Sequence, residues 1–244
     1  DASWNAPVLG HLGVRRSPVR TASDAVTVVR AAQAAGFTVV GAMFYDAQVA
    51  GLPDASAAVR WLKRRTLSEL PDRRAAVVAA LRSVAELAFV NGGGTGSLET
   101  FGGDGSVTEL AAGSGLYGPT LFDGYRAFRP RPALQFALPV VRRPARGVVT
   151  LFSGGYVASG EPGWSRVPRP VDAALRLLRT EGTGEVQTPV RGASADGLRL
   201  GDRVWFRGAK AGELLERFDA VHVVERDAVV AAWPTYRGEG RNFG

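Results

Sequence analysis

The run Asn91-Gly92-Gly93-Gly94-Thr95-Gly96-Ser97, entered from the apolar stretch Leu87-Ala88-Phe89-Val90, constrains this chain more than any other segment. The apolar stretch reads as a buried strand. Glycines and two hydroxyls directly after it bring backbone N–H groups close together with no Cβ in the way, an arrangement suited to holding a phosphate. A phosphorylated ligand is therefore the first expectation, with a flexible turn as the alternative. Two nucleotide motifs are excluded by spacing: no Gly-Lys-Ser/Thr closes the run, and no third glycine completes Gly-x-Gly-x-x-Gly.

Around this run the pattern alternates between helix and strand. Ser23 and Asp24 precede an apolar-periodic segment, Ala25 to Ala35, that Gly36 closes, which predicts a capped helix. Phe37 to Phe44 reads as a strand ending at Tyr45-Asp46. From Ala55 to Ser83 the pattern is helical with a break near Pro71, and a strand over 86–90 then feeds the glycine run. A shorter strand is expected over Val107–Ala112. This alternation predicts an α/β parallel sheet or barrel, whose ligands sit at the carboxyl ends of its strands. Past Phe128 the helices give way to strand-like runs at 133–138, 147–152, 203–206 and 221–224, separated by Pro and Gly, with one helix expected over Val171–Arg179. The expected organisation is residues 1–128 as an α/β domain and 129–244 as a mostly β domain.

With 244 residues and 45% apolar content, the chain can bury a substantial core. No cysteine is present, so disulfides and thiolate metal sites are excluded, and a reducing cytoplasm is compatible. No run approaches a membrane span and no signal-like segment opens the chain, so no membrane partner is expected. The net charge of +7 rests almost wholly on arginine, since only Lys63 and Lys210 are lysines. The arginines are dispersed without interleaved aromatics, which argues against nucleic acid as a partner.

Four segments in one order carry a resemblance: Asp1-Ala2-Ser3-Trp4, Gly13-Val14-Arg15-Arg16-Ser17-Pro18, Gly41-Ala42-Met43-Phe44-Tyr45, and Asn91 to Ser97. Together with Gly201-Asp202-Arg203-Val204-Trp205-Phe206, Gly212-Glu213-Leu214 and Pro234 to Gly240, they resemble the D-threonine aldolase-like and D-serine deaminase-like branch of the fold type III pyridoxal-phosphate enzymes. That resemblance implies a partial alanine-racemase-like α/β barrel followed by a mostly β domain, with homodimers in the intact protein. It implies pyridoxal 5'-phosphate as cofactor, an amino-acid substrate, and a Schiff-base lysine upstream of Asp1, so that this piece alone is expected to be inactive. The implied chemistry is retro-aldol cleavage or dehydrative deamination of a D-amino acid with a β-hydroxyl. Racemisation and a non-catalytic cofactor-binding homologue remain alternatives.

The residues of Gly92, Gly93, Gly94, Thr95, Gly96 and Ser97 are assigned to the cofactor phosphate, through glycine amides and the two hydroxyls. One of Arg15 and Arg16 is placed to face the pyridine ring or a substrate carboxylate, with a surface pair as the alternative. By resemblance Tyr45 is the active-site tyrosine at a strand end, and Tyr117, Asp123 and Tyr125 line the pocket. In the loop Arg207-Gly208-Ala209-Lys210, Gly208 occupies the apparent place of a metal-binding histidine and Lys210 that of a second ligand. No metal is expected there, because glycine has no side-chain ligand and an ammonium repels a cation; Lys210 could supply a fixed positive charge instead. Adjacent like charges around Lys63 suggest a wet helical face, which disfavours it as an amine nucleophile. His11, expected in a loop, and His222, expected to face solvent from a strand, make no metal pair.

Overall fold

The computed structural model describes residues 1–6, 10–101, 103 and 105–243, which divide into two compact units. The first comprises Asp1–Leu116 and Gly124–Arg129, the second Tyr117–Asp123 and Pro130–Gly244.

In the first unit, a hairpin of β1 (Trp4–Ala6) and β2 (Gly10–Leu12) precedes α1 (Ala22–Ala34), β3 (Gly41–Phe44), α2 (Ala47–Ala50), α3 (Ala57–Leu67), α4 (Leu70–Arg82), β4 (Phe89–Gly92) and β5 (Glu109–Leu110). Helix α1 starts earlier than Ser23-Asp24 suggests. Thr21 is the N-cap: its Oγ1 accepts the Asp24 amide at 3.2 Å while the Asp24 carboxylate accepts the Thr21 amide at 2.8 Å. Asp24 thus works from inside the first turn, closing a capping box. Those bonds from Thr21 hold the Asp24 carboxyl below its ordinary value. Ala25 and Val29 of α1 meet Val77 and Leu81 of α4, with Ala42 and Phe44 of β3 against the same cluster. Each of the buried Val and Leu side chains among them contributes about 1.5–3 kcal/mol by leaving water.

The three strands β3, β4 and β5 are parallel, with Phe44 opposite Gly92 and Asn91 opposite Glu109. This register puts Tyr45 and Gly93, the next residue of each strand, at the same sheet end. Both strands are shorter than expected: β3 begins at Gly41 rather than Phe37, and β4 begins at Phe89 with that residue exposed and Val90 fully buried. His11 lies in β2, opposite Asn5, rather than in a loop.

The second unit is mostly β. A six-stranded sheet in the order β8-β11-β6-β7-β10-β9 is built from β6 (Phe136–Ala145), β7 (Val148–Phe152), β8 (Arg169–Pro170), β9 (Leu175–Leu177), β10 (Gln187–Gly192) and β11 (Arg203–Arg207). A short helix, α5 (Gly212–Leu215), precedes a separate hairpin of β12 (Ala220–Glu225) and β13 (Ala228–Pro234). Alternation sets the core: Phe136, Leu138 and Val140 point inward from β6, Val204 and Phe206 from β11. Phe136 and Phe206 stack with centroids 5.6 Å apart.

The helix expected over Val171–Arg179 is absent. Asp172 instead turns the chain, its side chain accepting the Ala174 amide at 2.8 Å, and β9 then pairs antiparallel with β10, Leu177 opposite Val190. Leu175 and Leu177 are buried and Arg176 between them is exposed, a strand period inside a helix-favouring composition. Pairing in the sheet outweighs the local helix propensity.

Candidate functional site

Strand β4 empties into the glycine run at the carboxyl end of the parallel sheet, and a 3-10 turn over Thr95–Phe101 follows at once. The glycines are required chiefly by packing. Gly93 has φ +83° and carries its α-carbon against Phe101, where an added Cβ would lie 2.8 Å from the ring. A Cβ on Gly96 would lie 2.2 Å from the Ala50 carbonyl oxygen and 2.5 Å from Tyr125 Cε1. At Gly94 it would meet Ala50 Cβ at 3.0 Å and Tyr45 Cε2 at 3.1 Å, so the Tyr45 ring lies along the turn.

Both hydroxyls are engaged by protein groups. Ser97, 0% exposed, donates from Oγ to Asp46 Oδ1 at 3.0 Å and accepts the Gly94 amide at 3.2 Å. Thr95 Oγ1 accepts the Gly115 amide at 2.9 Å and lies 3.2 Å from Ser114 Oγ. The Ser97 amide donates to the Gly94 carbonyl. Among the described residues, no acceptor meets the backbone amides of Thr95 or Gly96, although both residues are buried. Buried amides without partners are rare in folded proteins and mark a place where an anion can be received.

Tyr45 is 40% exposed, and Arg16 Cζ stands 5.9 Å from its ring centroid. Both line a cavity of about 460 Å³ whose apolar wall includes Val29, Phe44, Val77 and Leu81; the glycine run is not among its lining residues. Arg15 is exposed and borders a smaller surface depression with His11 and Ser17. Tyr117 and Lys210 belong to the second unit. There the Tyr117 carbonyl accepts the amides of Ala133 and Leu134, and Lys210 Nζ donates to the Ser159 carbonyl at 2.7 Å. Asp123 is held by Arg207 at 2.8 Å.

Two expectations change. Tyr125 is a core residue whose hydroxyl donates to the Ala50 carbonyl at 2.6 Å, and burial raises its pKa. Lys63 is on no wet face: it is 8% exposed, with Nζ 4.7 Å from the Tyr125 ring centroid. On a helix, adjacent residues point about 100° apart, so Arg64 and Arg65 stay in solvent while Lys63 and Thr66 turn inward. Desolvation lowers the Lys63 pKa against the opposing pull of Asp54, Glu99 and Asp46. Burial alone would raise Asp54, but the amides of Arg126 and Ala127, with Lys63, hold it below its ordinary value.

Sequence reasoning passed over Asp46. It follows Tyr45 directly, is 1% exposed, and its carbonyl accepts the amides of Val49 and Ala50 at the start of α2. Desolvation raises its carboxyl to about 6, opposed by the Ser97 hydrogen bond and the cations of Arg74 and Lys63. The only available signal was an acid placed immediately after a strand end. Because the folded state keeps this proton to a higher pH than the unfolded chain, the associated stability is complete below about pH 4 and is lost as pH rises through 6. The loss expected for about two units is roughly 3 kcal/mol. Of this loss, about 1.4 kcal/mol falls between pH 5 and pH 7.5; urea unfolding of the first unit at those two pH values should show that decrement in the native sequence and lose it in Asp46→Asn, and an identical pH dependence in both would refute it.

Among the described residues, no group of three or more His, Cys, Asp or Glu side chains is arranged to hold a metal ion. At Gly208 a Cβ would lie 2.8 Å from the Lys210 carbonyl oxygen, and the Gly208 carbonyl is bound by the Thr120 amide. The loop is closed against a side chain at the position where the resemblance puts a histidine ligand. The donor set of this loop does not fit a metal.

No protein-family model and no curated protein matches the chain by sequence. Solved structures do. A D-threonine aldolase from Filomicrobium marinum superposes with a TM-score of 0.77 at 24% identity, over 93% of this chain and 60% of that one. A D-threo-3-hydroxyaspartate dehydratase from Delftia sp. HT23 gives 0.69 at 17% identity, over 91% of this chain and 62% of that one. An Ala racemase-like protein from Idiomarina loihiensis gives 0.66 at 14% identity, over 91% and 62%. The chain has the alanine racemase-like fold. It spans 60–62% of the length of those three structures. Tyr45 and the Gly93–Ser97 turn lie at the carboxyl ends of the parallel strands β3 and β4. No helix among the described residues is long and apolar enough to cross a membrane.

Proposed function

We propose that these residues belong to a pyridoxal-phosphate-dependent enzyme acting on D-amino acids that carry a β-hydroxyl, by retro-aldol cleavage or dehydrative deamination. The observation that carries the reading is the pair of buried, acceptor-less amides at Thr95 and Gly96, on the alanine racemase-like fold, at the sheet end that also presents Tyr45. These amides would receive the cofactor phosphate, and the Gly92–Gly94 backbone would shape their approach. The Thr95 and Ser97 hydroxyls brace the turn from behind through Gly115 and Asp46. When bound, pyridoxal phosphate supplies an electron sink for the bond broken at the substrate's Cα or Cβ. Tyr45, whose ring lies along the turn, and Arg16, which stands over that ring, would be the polar groups that orient substrate or ring, with Arg15 as the neighbouring cation in sequence. Neither Lys63 nor Lys210 anchors the cofactor on this reading: Lys63 faces the Tyr125 ring and Lys210 is bonded to Ser159.

Pyridoxamine 5'-phosphate is the suitable probe, because it has the phosphate and the ring but no aldehyde to react with surface amines. Saturable fluorescence binding that inorganic phosphate displaces is expected, and binding that phosphate leaves untouched would sink the reading. Product analysis on the intact enzyme, with the lysine that anchors the cofactor, separates the chemistries. D-Threonine cleaved to glycine and acetaldehyde indicates the aldolase, D-serine converted to a 2-oxo acid and ammonia indicates the deaminase, and inversion alone indicates a racemase.

A further inference from the structure

We propose that Asp46 is a positioning residue for the anion-receiving turn, acting through the Ser97 hydroxyl on the Gly94 amide. The inference rests on the reading of that turn as the phosphate site and names what holds it in shape. Asp46 Oδ1 takes the Ser97 hydroxyl at 3.0 Å, and Ser97 Oγ takes the Gly94 amide at 3.2 Å, so one continuous relay runs from the end of β3 to the turn after β4. All of its side-chain atoms are out of water: Ser97 is fully buried and Asp46 nearly so. Asp46 also ties the relay to the other strand end through its own backbone, since it follows Tyr45 and its carbonyl starts α2.

The chemistry is directional. An ionised carboxylate only accepts, so it forces the Ser97 proton toward Asp46 and turns the Ser97 lone pairs toward the Gly94 N–H. A protonated Asp46 can donate instead. Ser97 then directs its proton to the Gly94 carbonyl, 3.4 Å away, and the Gly94 amide loses its acceptor. A buried carboxylate is an expensive way to make one hydrogen bond, and Asp46 Oδ2 has no partner among the described residues. The cost is consistent with a group whose acceptor-only character is needed. The charges that face Asp46 are Arg74 from α4 and Lys63 from α3; Lys63 is in turn faced by Asp54 and by Glu99 of the 3-10 turn. The group whose proton decides the direction of the Ser97 hydroxyl is the Asp46 carboxyl, which Ser97 touches directly.

The test uses the full chain. In ligand-free protein, the ¹⁵N–¹H signals of Gly94 and Ser97 should titrate together with a midpoint near pH 6. They should become flat in both Asp46→Asn and Ser97→Ala. In parallel, the dissociation constant for pyridoxamine phosphate at pH 7.5 should rise at least tenfold in Ser97→Ala and in Asp46→Ala. In Asp46→Asn, which keeps an acceptor oxygen, it should stay within about threefold. Persistence of the Gly94 titration in Asp46→Asn, or unchanged affinity in Ser97→Ala, overturns the proposal. If the native chain binds no pyridoxamine phosphate, the phosphate reading fails while the amide titration still decides the relay. Should Asp46→Ala not fold, Ser97→Ala and Asp46→Asn carry the test.

Discussion

Replacing Gly96 by alanine should abolish pyridoxamine phosphate binding and destabilise the first unit by about 3 kcal/mol. The added Cβ would lie 2.2 Å from the Ala50 carbonyl oxygen and 2.5 Å from the Tyr125 ring. Neither can yield cheaply. The Ala50 oxygen is backbone and already accepts the Tyr125 hydroxyl, while the Tyr125 ring is buried with Lys63 over its face. The turn must therefore lift from α2, which moves the Thr95 and Gly96 amides. Gly105→Ala is the matched control, because a Cβ there meets nothing within 4 Å. Urea unfolding and probe fluorescence on both variants decide the matter, and equal behaviour of the two would show that the turn does not need its close approach to Ala50.

The second large effect lies in the other unit. Phe206→Ala should cost the β unit about 3–5 kcal/mol. Phe206 is 0% exposed, stacks on Phe136, and stands in the cluster that collects Leu138, Val140, Leu151 and Val190 from neighbouring strands. Truncation leaves a cavity that rigid strands cannot collapse around. Phe152→Ala, at a residue 54% exposed on the same sheet, should change stability by less than about 0.5 kcal/mol. Thermal unfolding followed by near-ultraviolet circular dichroism gives both values; comparable shifts would mean that the core is centred elsewhere.

Much of the architecture was legible because local patterns and tertiary pairing agree. The helical segment from Ala55 to Ser83 breaks near Pro71, at the start of a new helix, and the β unit buries every second residue from Phe136 to Val140 along β6 and in β11. Agreement failed where a residue's fate depended on a distant partner. Residues 171–179 favour a helix, yet β10 offers a free edge and takes Leu175–Leu177 as a strand. Lys63 sits in a run of cations, but it shares an inward face with Thr66 and meets Tyr125 from far along the chain. Thr95 and Ser97 read as phosphate ligands, while their hydroxyls serve as braces because Asp46 and Gly115 arrive from other segments.

From the sequence alone follow the strand-then-glycine turn, the α/β-then-β order and the shortage of lysine, since each depends on neighbouring residues and backbone sterics. Tertiary structure alone decided which amides stay unpartnered, which cation is buried, and that an acid beside Tyr45 meets a serine of the next strand's turn. Those outcomes hinge on the parallel register of β3 and β4, which brings residues 46 and 97 within hydrogen-bond reach although nothing local to either encodes it.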